Sequence, residues 1–427
     1  MVVDVIPQTA STSMSDRLGA RAALRCNILG LPPYSEVPGQ LTRRYLTPAH
    51  HAALDALMAW METAGLQVRL DSAANLIGRY EGAAPGAPAL MIGSHIDSVR
   101  NGGRYDGPLG ILLGIDCVEA LSRAGRRLPF ALEVIAFGDE EGSRFAASMT
   151  CSRAVAGRET GAASSLRDTD GVSLGEALVA FAPSRDRAPA ARQAGEIIAF
   201  LEPHIEQGPV LEAENLAIGV VTAIAAQRRL VVTIHGTAGH AGTTPMGLRR
   251  DPGPAAAEAI LALERICASG TGGLVGTVGR MTARPGAFNV IPAAVELSMD
   301  IRAETSPVRD AAVEEVVSAL RAIGARRGLD VEIETTQDLA ESPCDPRLTA
   351  ILEAAVASVG APPRRLPSGA GHDAMVMAAI CPTAMLFIRC EGGVSHNPAE
   401  AVRLDDCEVA LGAMLAFIDG LERDRAA

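Results

Sequence analysis

The sequence of 427 residues contains no lysine; all 38 of its basic residues are arginine. That absence removes Schiff-base chemistry on a lysine amine, a phosphate-binding loop built around a lysine, and a carbamylated-lysine bridge between metal ions. No two of the eight cysteines (26, 117, 151, 267, 344, 381, 390 and 407) stand in C-x-x-C spacing, which argues against thiolate zinc modules and thioredoxin-like redox motifs. In a chain this long and apolar, dispersed cysteines read as reduced thiols. No apolar run is long enough to span a bilayer. No basic segment followed by an apolar one opens the sequence, so the expectation is a cytoplasmic protein without a membrane partner. A formal charge of −12 disfavours nucleic acid as a partner, since that role demands a basic face. It does not restrict a small substrate, whose site can carry the opposite sign.

What is present centres on GSHIDSVRNGGRYDG, residues 93–107. The apolar run 89–92 before it reads as a buried strand. His95, Asp97 and Asp106 therefore fall in a glycine-rich loop at the carboxyl end of that strand, where open α/β sheets bind ligands. Strand and helix signals alternate around it: a helix within 48–65 closed by Gly65, strands at 66–70, 75–80 and 128–139, a helix at 111–124 and a strand at 197–201. This is the pattern of an α/β sheet. From about 227 to 335 the order becomes β-α-β-β-α-β, the split arrangement of ferredoxin-like domains. The chain then returns with a helix near 346–359, a strand at 383–388 and a last helix from about 406 to 423. The expected division is a discontinuous catalytic domain, 1–224 and 338–427, around an inserted domain, 225–337. Residues 1–20 read as a loose lead-in, and 157–195 as short helices and loops over the surface.

The residues able to do chemistry gather in turns and at strand ends. Of eight histidines, His95, His204, His240, His372 and His396 sit in turn-like settings beside glycine, proline, serine or aspartate. In His95-x-Asp97 the carboxylate could orient the imidazole, although the pattern alone matches many surface loops. Asp106 in GGRYDG is either a turn-forming aspartate or a carboxylate that a metal can share. GDEEGSRF, 138–145, places Glu140 and Glu141 just after a buried strand, where consecutive acids are costly without a cation; the plain alternative is a solvated turn. In a dinuclear hydrolase one such glutamate ligates metal, and its neighbour carries a proton from water to the leaving nitrogen. His204 in HIEQGP and His396 in SHNPAE also follow strands. Nitrogen and oxygen ligands without thiolate suit Zn²⁺, and also Mn²⁺, Co²⁺ or Ni²⁺. Asn289 in NVIP and Arg302 in SMDIR could hold a carboxylate, Arg302 in bidentate fashion; Arg302 reads equally well as a strand-end surface charge. GAGHDA, 369–374, offers a turn at Gly371 and His372 whose backbone N–H groups could face a ligand.

Taken in order, GSHIDSV, GGRYDGPLG, GDEEGSRF, HIEQGPVLE, GHAGTTPM, NVIP, GAGHDAM and SHNPAE resemble the hydantoinase/carbamoylase amidases of the dinuclear metallopeptidase superfamily, over about residues 40–425. The resemblance implies an α/β fold with a zinc-peptidase-like mixed sheet and an inserted ferredoxin-like lid that also makes a homodimer. It implies two divalent metal ions per subunit, with His95, Asp106 and His204 on one and Asp106, Glu141 and His396 on the other. Glu140 would be general base and then acid, and Asp97 would orient His95. Gln227, His240, Asn289, Arg302 and the turn at Gly371 and His372 would bind substrate. Arg302 and Asn289 would take its carboxylate, and His240 would donate to the developing oxyanion in the partner subunit's site. The substrate would be a small ureido carboxylate whose terminal carbamoyl group leaves as ammonia and CO₂. The segment LPPYSEVPGQLTRRYLTPAH looks most like allantoate amidohydrolases; N-carbamoyl-L-amino acid hydrolase and β-ureidopropionase are the alternatives. A dipeptidase or aminoacylase fits less well, because such relatives tend to carry a carboxylate where His204 stands. A non-catalytic binding protein fits poorly with Glu140 and a full ligand set.

Overall fold

Buried apolar runs become the strands of a mixed sheet. In the computed structural model, which describes residues 17–158, 163–181 and 188–426, these are β1 (Gln67–Leu70), β2 (Leu76–Tyr80), β3 (Ala89–His95), β4 (Ala131–Phe137), β5 (Ile197–Ile205) and β6 (Ile218–Ile224). The chain then forms β7 (Ala226–His235), β8 (Val275–Arg284), β9 (Ala294–Ala303) and β10 (Asp330–Leu339), and comes back to the first sheet as β11 (Thr383–Ile388). Two units result. One comprises the chain up to Thr222, Cys344–Leu366 and His372 onward; the other comprises Ala223–Pro343 and Pro367–Gly371. Among the described residues no helix is long and apolar enough to cross a membrane.

The first unit's sheet runs in the order β1-β2-β4-β3-β5-β11-β6. Its centre, β4, β3, β5 and β11, is parallel, and β2 and β6 flank it antiparallel. Every residue of β3, β4 and β11 is buried, as befits strands covered on both faces. The helix Pro108–Arg123, buried along most of its length, links β3 to β4. It can begin where it does because residue 107 is glycine. Gly107 has φ +85°, and a Cβ there would lie 2.4 Å from the His95 carbonyl oxygen, so any side chain meets both strain and collision. Parallel strands bring their carboxyl ends to one side, and the loops after β3, β4, β5 and β11 emerge there together.

Two elements depart from the expectation. The lead-in holds a helix, Leu18–Leu29, whose buried side is Gly19, Ala20, Ala22, Ala23, Cys26 and Leu29 and which packs on the helix Leu404–Ala426. Glycine and alanine carry almost no helical hydrophobic signal, so the contact is invisible until its partner is in place. β6 is likewise absent from the sequence reading. Residues 1–16 of the lead-in, and 159–162 and 182–187 of the surface segment, lie outside the described residues.

The second unit's sheet runs β10-β7-β9-β8, antiparallel throughout. The helix Pro252–Cys267 follows β7, and Ser306–Arg327 follows β9. Leu230, Val232 and Ile234 of β7 and Val295, Leu297, Met299 and Ile301 of β9 form the core with these helices. The strands alternate, so Gln227, Arg229, Asp300 and Arg302 share the opposite, polar face. This unit is larger than 225–337. β10 continues to Leu339, and the segment Pro367–Gly371 joins it because Ala225 N–H donates to the Ser368 carbonyl at 2.8 Å.

Candidate metal centre

His95 ends β3, Glu140 and Glu141 follow β4, His204 lies near the end of β5, and His396 stands in the loop after β11. Asp106 precedes Gly107 and the helix Pro108–Arg123, whose N-terminus favours a negative charge. These side chains meet. His204 Nε2 is 3.1 Å and His95 Nε2 3.6 Å from Asp106 Oδ1, and the two ring nitrogens are 3.5 Å apart. On the other side, His396 Nε2 is 3.1 Å from Asp106 Oδ2 and 3.4 Å from Glu141 Oε1. Asp106 thus gives one oxygen to each set, as a shared carboxylate would. The donor atoms of His95, Asp106 and His204, of Asp106, Glu141 and His396, and of His95, Glu140 and Glu141 each lie within 4.8 Å of one another.

The set fits a cation for an electrostatic reason. His204 Nδ1 faces the Ile205 carbonyl at 2.8 Å, and His95 Nδ1 faces the Asp97 carbonyl at 3.1 Å. A carbonyl only accepts, so Nδ1 carries the proton and each neutral ring turns a lone pair inward from Nε2. Those lone pairs converge on Asp106 Oδ1, a buried oxygen with no hydrogen-bond donor. Such a cluster needs positive charge, from protons or from metal, and the two compete. Without metal, burial opposes protonation of both imidazoles, but Asp106 with Asp97 and Glu140 outweighs it at His95, and Asp106 with Glu202 at His204, so both are raised. Asp106 also pushes His396 up to about 9. Burial by itself would raise Asp106; its contacts with His204, His396 and His95 hold it well below the usual carboxylate range. Burial pushes Glu141 up to about 7 and Glu140 well above its ordinary value.

The surrounding residues explain how the loops stay in place. The Asp97 carboxylate accepts the backbone N–H groups of Glu140 at 3.1 Å and Glu141 at 3.2 Å. Asp97 therefore faces His95 Nδ1 with its carbonyl at 3.1 Å and its carboxylate at 3.5 Å, and that carboxylate also ties the loop after β3 to the loop after β4. Glu202, buried inside β5, accepts from Ser94 Oγ at 3.0 Å and from Ala374 N–H at 2.8 Å. Gln207 Nε2 donates to Asp106 Oδ2 at 3.1 Å and to Ser395 Oγ at 3.2 Å. Gln207 and His396 take φ values of 57° and 55°, a left-handed backbone that non-glycine residues adopt at some cost. The His372 ring is buried edge-on against the His204 ring, with centroids 4.5 Å apart. Sequence reasoning missed Glu202 and Gln207. Only Glu202 carried a signal, an acid inside the apolar run IIAFLEPHI.

The remaining candidates belong to the second unit and form two groups within it. Gln227 and Arg302 are directly opposed across β7 and β9, and both bind Asp300. Gln227 Nε2 donates to Asp300 Oδ2 at 2.8 Å, and Arg302 donates from Nε to Oδ1 at 2.8 Å and from Nη2 to Oδ2 at 3.0 Å. Arg302 also donates to the Gly369 carbonyl, two residues before Gly371. His240 and Asn289, both exposed, adjoin the paired short strands Gly239–His240 and Val290–Ile291, where Ala241 N–H donates to the Asn289 carbonyl at 2.9 Å.

Comparison with known proteins is consistent with this geometry. The model of peptidase family M20/M25/M40 matches residues 91–420. An N-carbamoyl-L-amino acid amidohydrolase of Geobacillus stearothermophilus is 44% identical over 89% of this chain and 92% of its own. A probable allantoate deiminase of Oryza sativa is 40% identical over 92% of this chain and 87% of its own. The crystal structure of a hydantoinase/carbamoylase family amidase from Burkholderia multivorans superposes with a TM-score of 0.88 at 33% identity, covering 94% of this chain and 97% of that one. The chain belongs to peptidase family M20/M25/M40, among the hydantoinase/carbamoylase amidases, and is a hydrolase of carbon–nitrogen bonds.

Proposed function

We propose that the chain is a two-ion amidase that hydrolyses the terminal carbamoyl C–N bond of a small ureido carboxylate, with allantoate the first candidate and N-carbamoyl-L-amino acids the second. The observation that carries this reading is the sharing of Asp106 between two ligand sets, with Glu140 buried beside them. His95 and His204 would hold one divalent ion with Asp106, and Glu141 and His396 the other. Zn²⁺ and Mn²⁺ suit this donor set best, and Co²⁺ or Ni²⁺ also fits. When bound, the ions supply Lewis-acid polarisation and a more acidic water. Glu140 accepts the proton of the attacking water and passes it to the leaving nitrogen. The balance is R–NH–CO–NH₂ plus H₂O giving R–NH₂, NH₃ and CO₂. Burial gives Glu140 a high proton affinity, which suits it to hold the proton between the two transfers. Asp97, bonded to the Glu140 N–H, keeps that carboxylate aimed. The names of the two relatives support the ureido substrate class, one for each candidate.

In this reading the second unit is a ferredoxin-like lid that also makes a cytoplasmic homodimer. Arg302 and Asn289 take the substrate carboxylate, Gln227 and the turn at Gly371 and His372 line the site, and His240 serves the oxyanion of the partner's site. Ammonia release is to be measured with allantoate, several N-carbamoyl-L-amino acids, β-ureidopropionate and a dipeptide. Ammonia from a ureido substrate supports the reading; cleavage of the dipeptide with no ammonia from any ureido compound overturns it. Arg302→Ala removes a charged hydrogen-bond donor of about 1.5–3 kcal/mol. KM for the carboxylate substrate should rise by roughly 10- to 150-fold, with a smaller change in kcat. An unchanged KM takes Arg302 out of the substrate site.

A further inference from the structure

Glu400 closes SHNPAE four residues after His396, and the roles assigned so far do not use it. Its side chain is nearly inaccessible, 4% exposed. Oε1 accepts the backbone N–H of Tyr105 at 2.8 Å and that of Asp106 at 3.1 Å. Oε2 lies 3.2 Å from Ser395 Oγ, and that same hydroxyl is 3.1 Å from Asp106 Oδ2. One carboxylate thus grips the main chain at the shared aspartate and, through one hydroxyl, reaches its side chain. Glu400 comes from the loop that carries His396, so the grip ties a ligand of one set to the residue common to both.

The chain also makes room for this contact. Gly103 does not take a left-handed backbone, so the turn does not demand glycine there. Space does: a Cβ at position 103 would lie 2.0 Å from the Glu400 carboxyl carbon. Bonds from N–H groups to a buried carboxylate are charge-assisted and directional. They fix the backbone from which Asp106 presents its two oxygens.

We propose that Glu400 is a positioning residue that holds Asp106 as the bridge between two ions and couples it to the His396 loop. Glu400 touches no reacting atom. The inference rests on the two-ion reading above, and its test separates the two. The full-length protein, freed of metal and titrated with Mn²⁺, is read by electron paramagnetic resonance and by competition with a chelator. Wild type should bind two ions with the spectrum of an exchange-coupled pair. Glu400→Ala should weaken at least one ion by roughly 10- to 100-fold, as loss of a supporting residue does, and should replace the coupled signal by that of isolated Mn²⁺. Glu400→Gln should restore both readings. Its amide oxygen can accept the two N–H groups, and its amide N–H can donate to Ser395, leaving the hydroxyl proton for Asp106. Gly103→Ala displaces the carboxylate without removing it and should reproduce the alanine result; it decides the matter if Glu400→Ala does not fold by circular dichroism. Two tight, coupled ions in Glu400→Ala overturn the proposal, as does a Glu400→Gln variant no better than Glu400→Ala. A wild type with fewer than two ions overturns the two-ion reading itself and this inference with it.

Discussion

Glu140→Gln should lower kcat by about 10²- to 10⁴-fold, the range associated with a positioned acid–base group, while ion content stays unchanged. The amide has the shape of the protonated acid, so it preserves the packing of a residue that is 9% exposed but cannot take a proton from water. Metal content should survive because Asp106, Glu141 and the three imidazoles are untouched. Burial pushes the Glu140 carboxyl well above its ordinary pKa, so an ionised Glu140 destabilises the metal-free fold at pH above that value. The metal-free variant should therefore unfold at the same or a higher temperature than wild type, a gain in stability where activity is lost. Steady-state kinetics together with metal analysis checks this. A variant that loses its ions along with its activity would show Glu140 to be a ligand rather than the proton carrier.

Asp106→Ala should cost more than any single imidazole substitution, because each ligand set loses a member. Turnover should fall by on the order of 10³-fold or more, corresponding to about 4 kcal/mol of lost transition-state stabilisation. The same variant should fail to be stabilised by metal. An ion present at 100 times its Kd adds about 2.7 kcal/mol to the stability of a protein that binds it only when folded, so added metal should raise Tm in wild type and leave Asp106→Ala nearly unmoved. Equal metal-induced shifts in the two proteins would remove Asp106 from the centre. The comparison is sensitive because three imidazoles face this one carboxylate, and its loss removes the contact common to all three.

The candidate ligands were legible because each stands at the carboxyl end of a mostly apolar strand or in the loop that follows it, where open α/β sheets bind ligands. The β-α-β-β-α-β order was legible from alternation in β7 and from the long helix Ser306–Arg327. The supporting residues were not. Glu400 and Gln207 bind backbone N–H groups or a carboxylate distant in sequence. Such partners are set by tertiary approach and leave no spacing in the chain. The two-residue interval pointed from Asp97 to His95, whose Nδ1 its carboxylate approaches at 3.5 Å; that the same carboxylate also accepts from residues 140 and 141, distant in sequence, left no such interval. The helix Leu18–Leu29 escaped for the same kind of reason: its buried surface is mostly glycine and alanine, and small residues signal close approach only once the other helix is known.

The central claim is that Asp106 joins two ions in one active centre. The number of ions per chain in the fully active, extensively dialysed protein, measured by inductively coupled plasma mass spectrometry alongside turnover, tests it most directly. Two divalent ions per chain, with activity lost on chelation and regained only as the second ion returns, is the predicted result; full activity with one ion or none contradicts it.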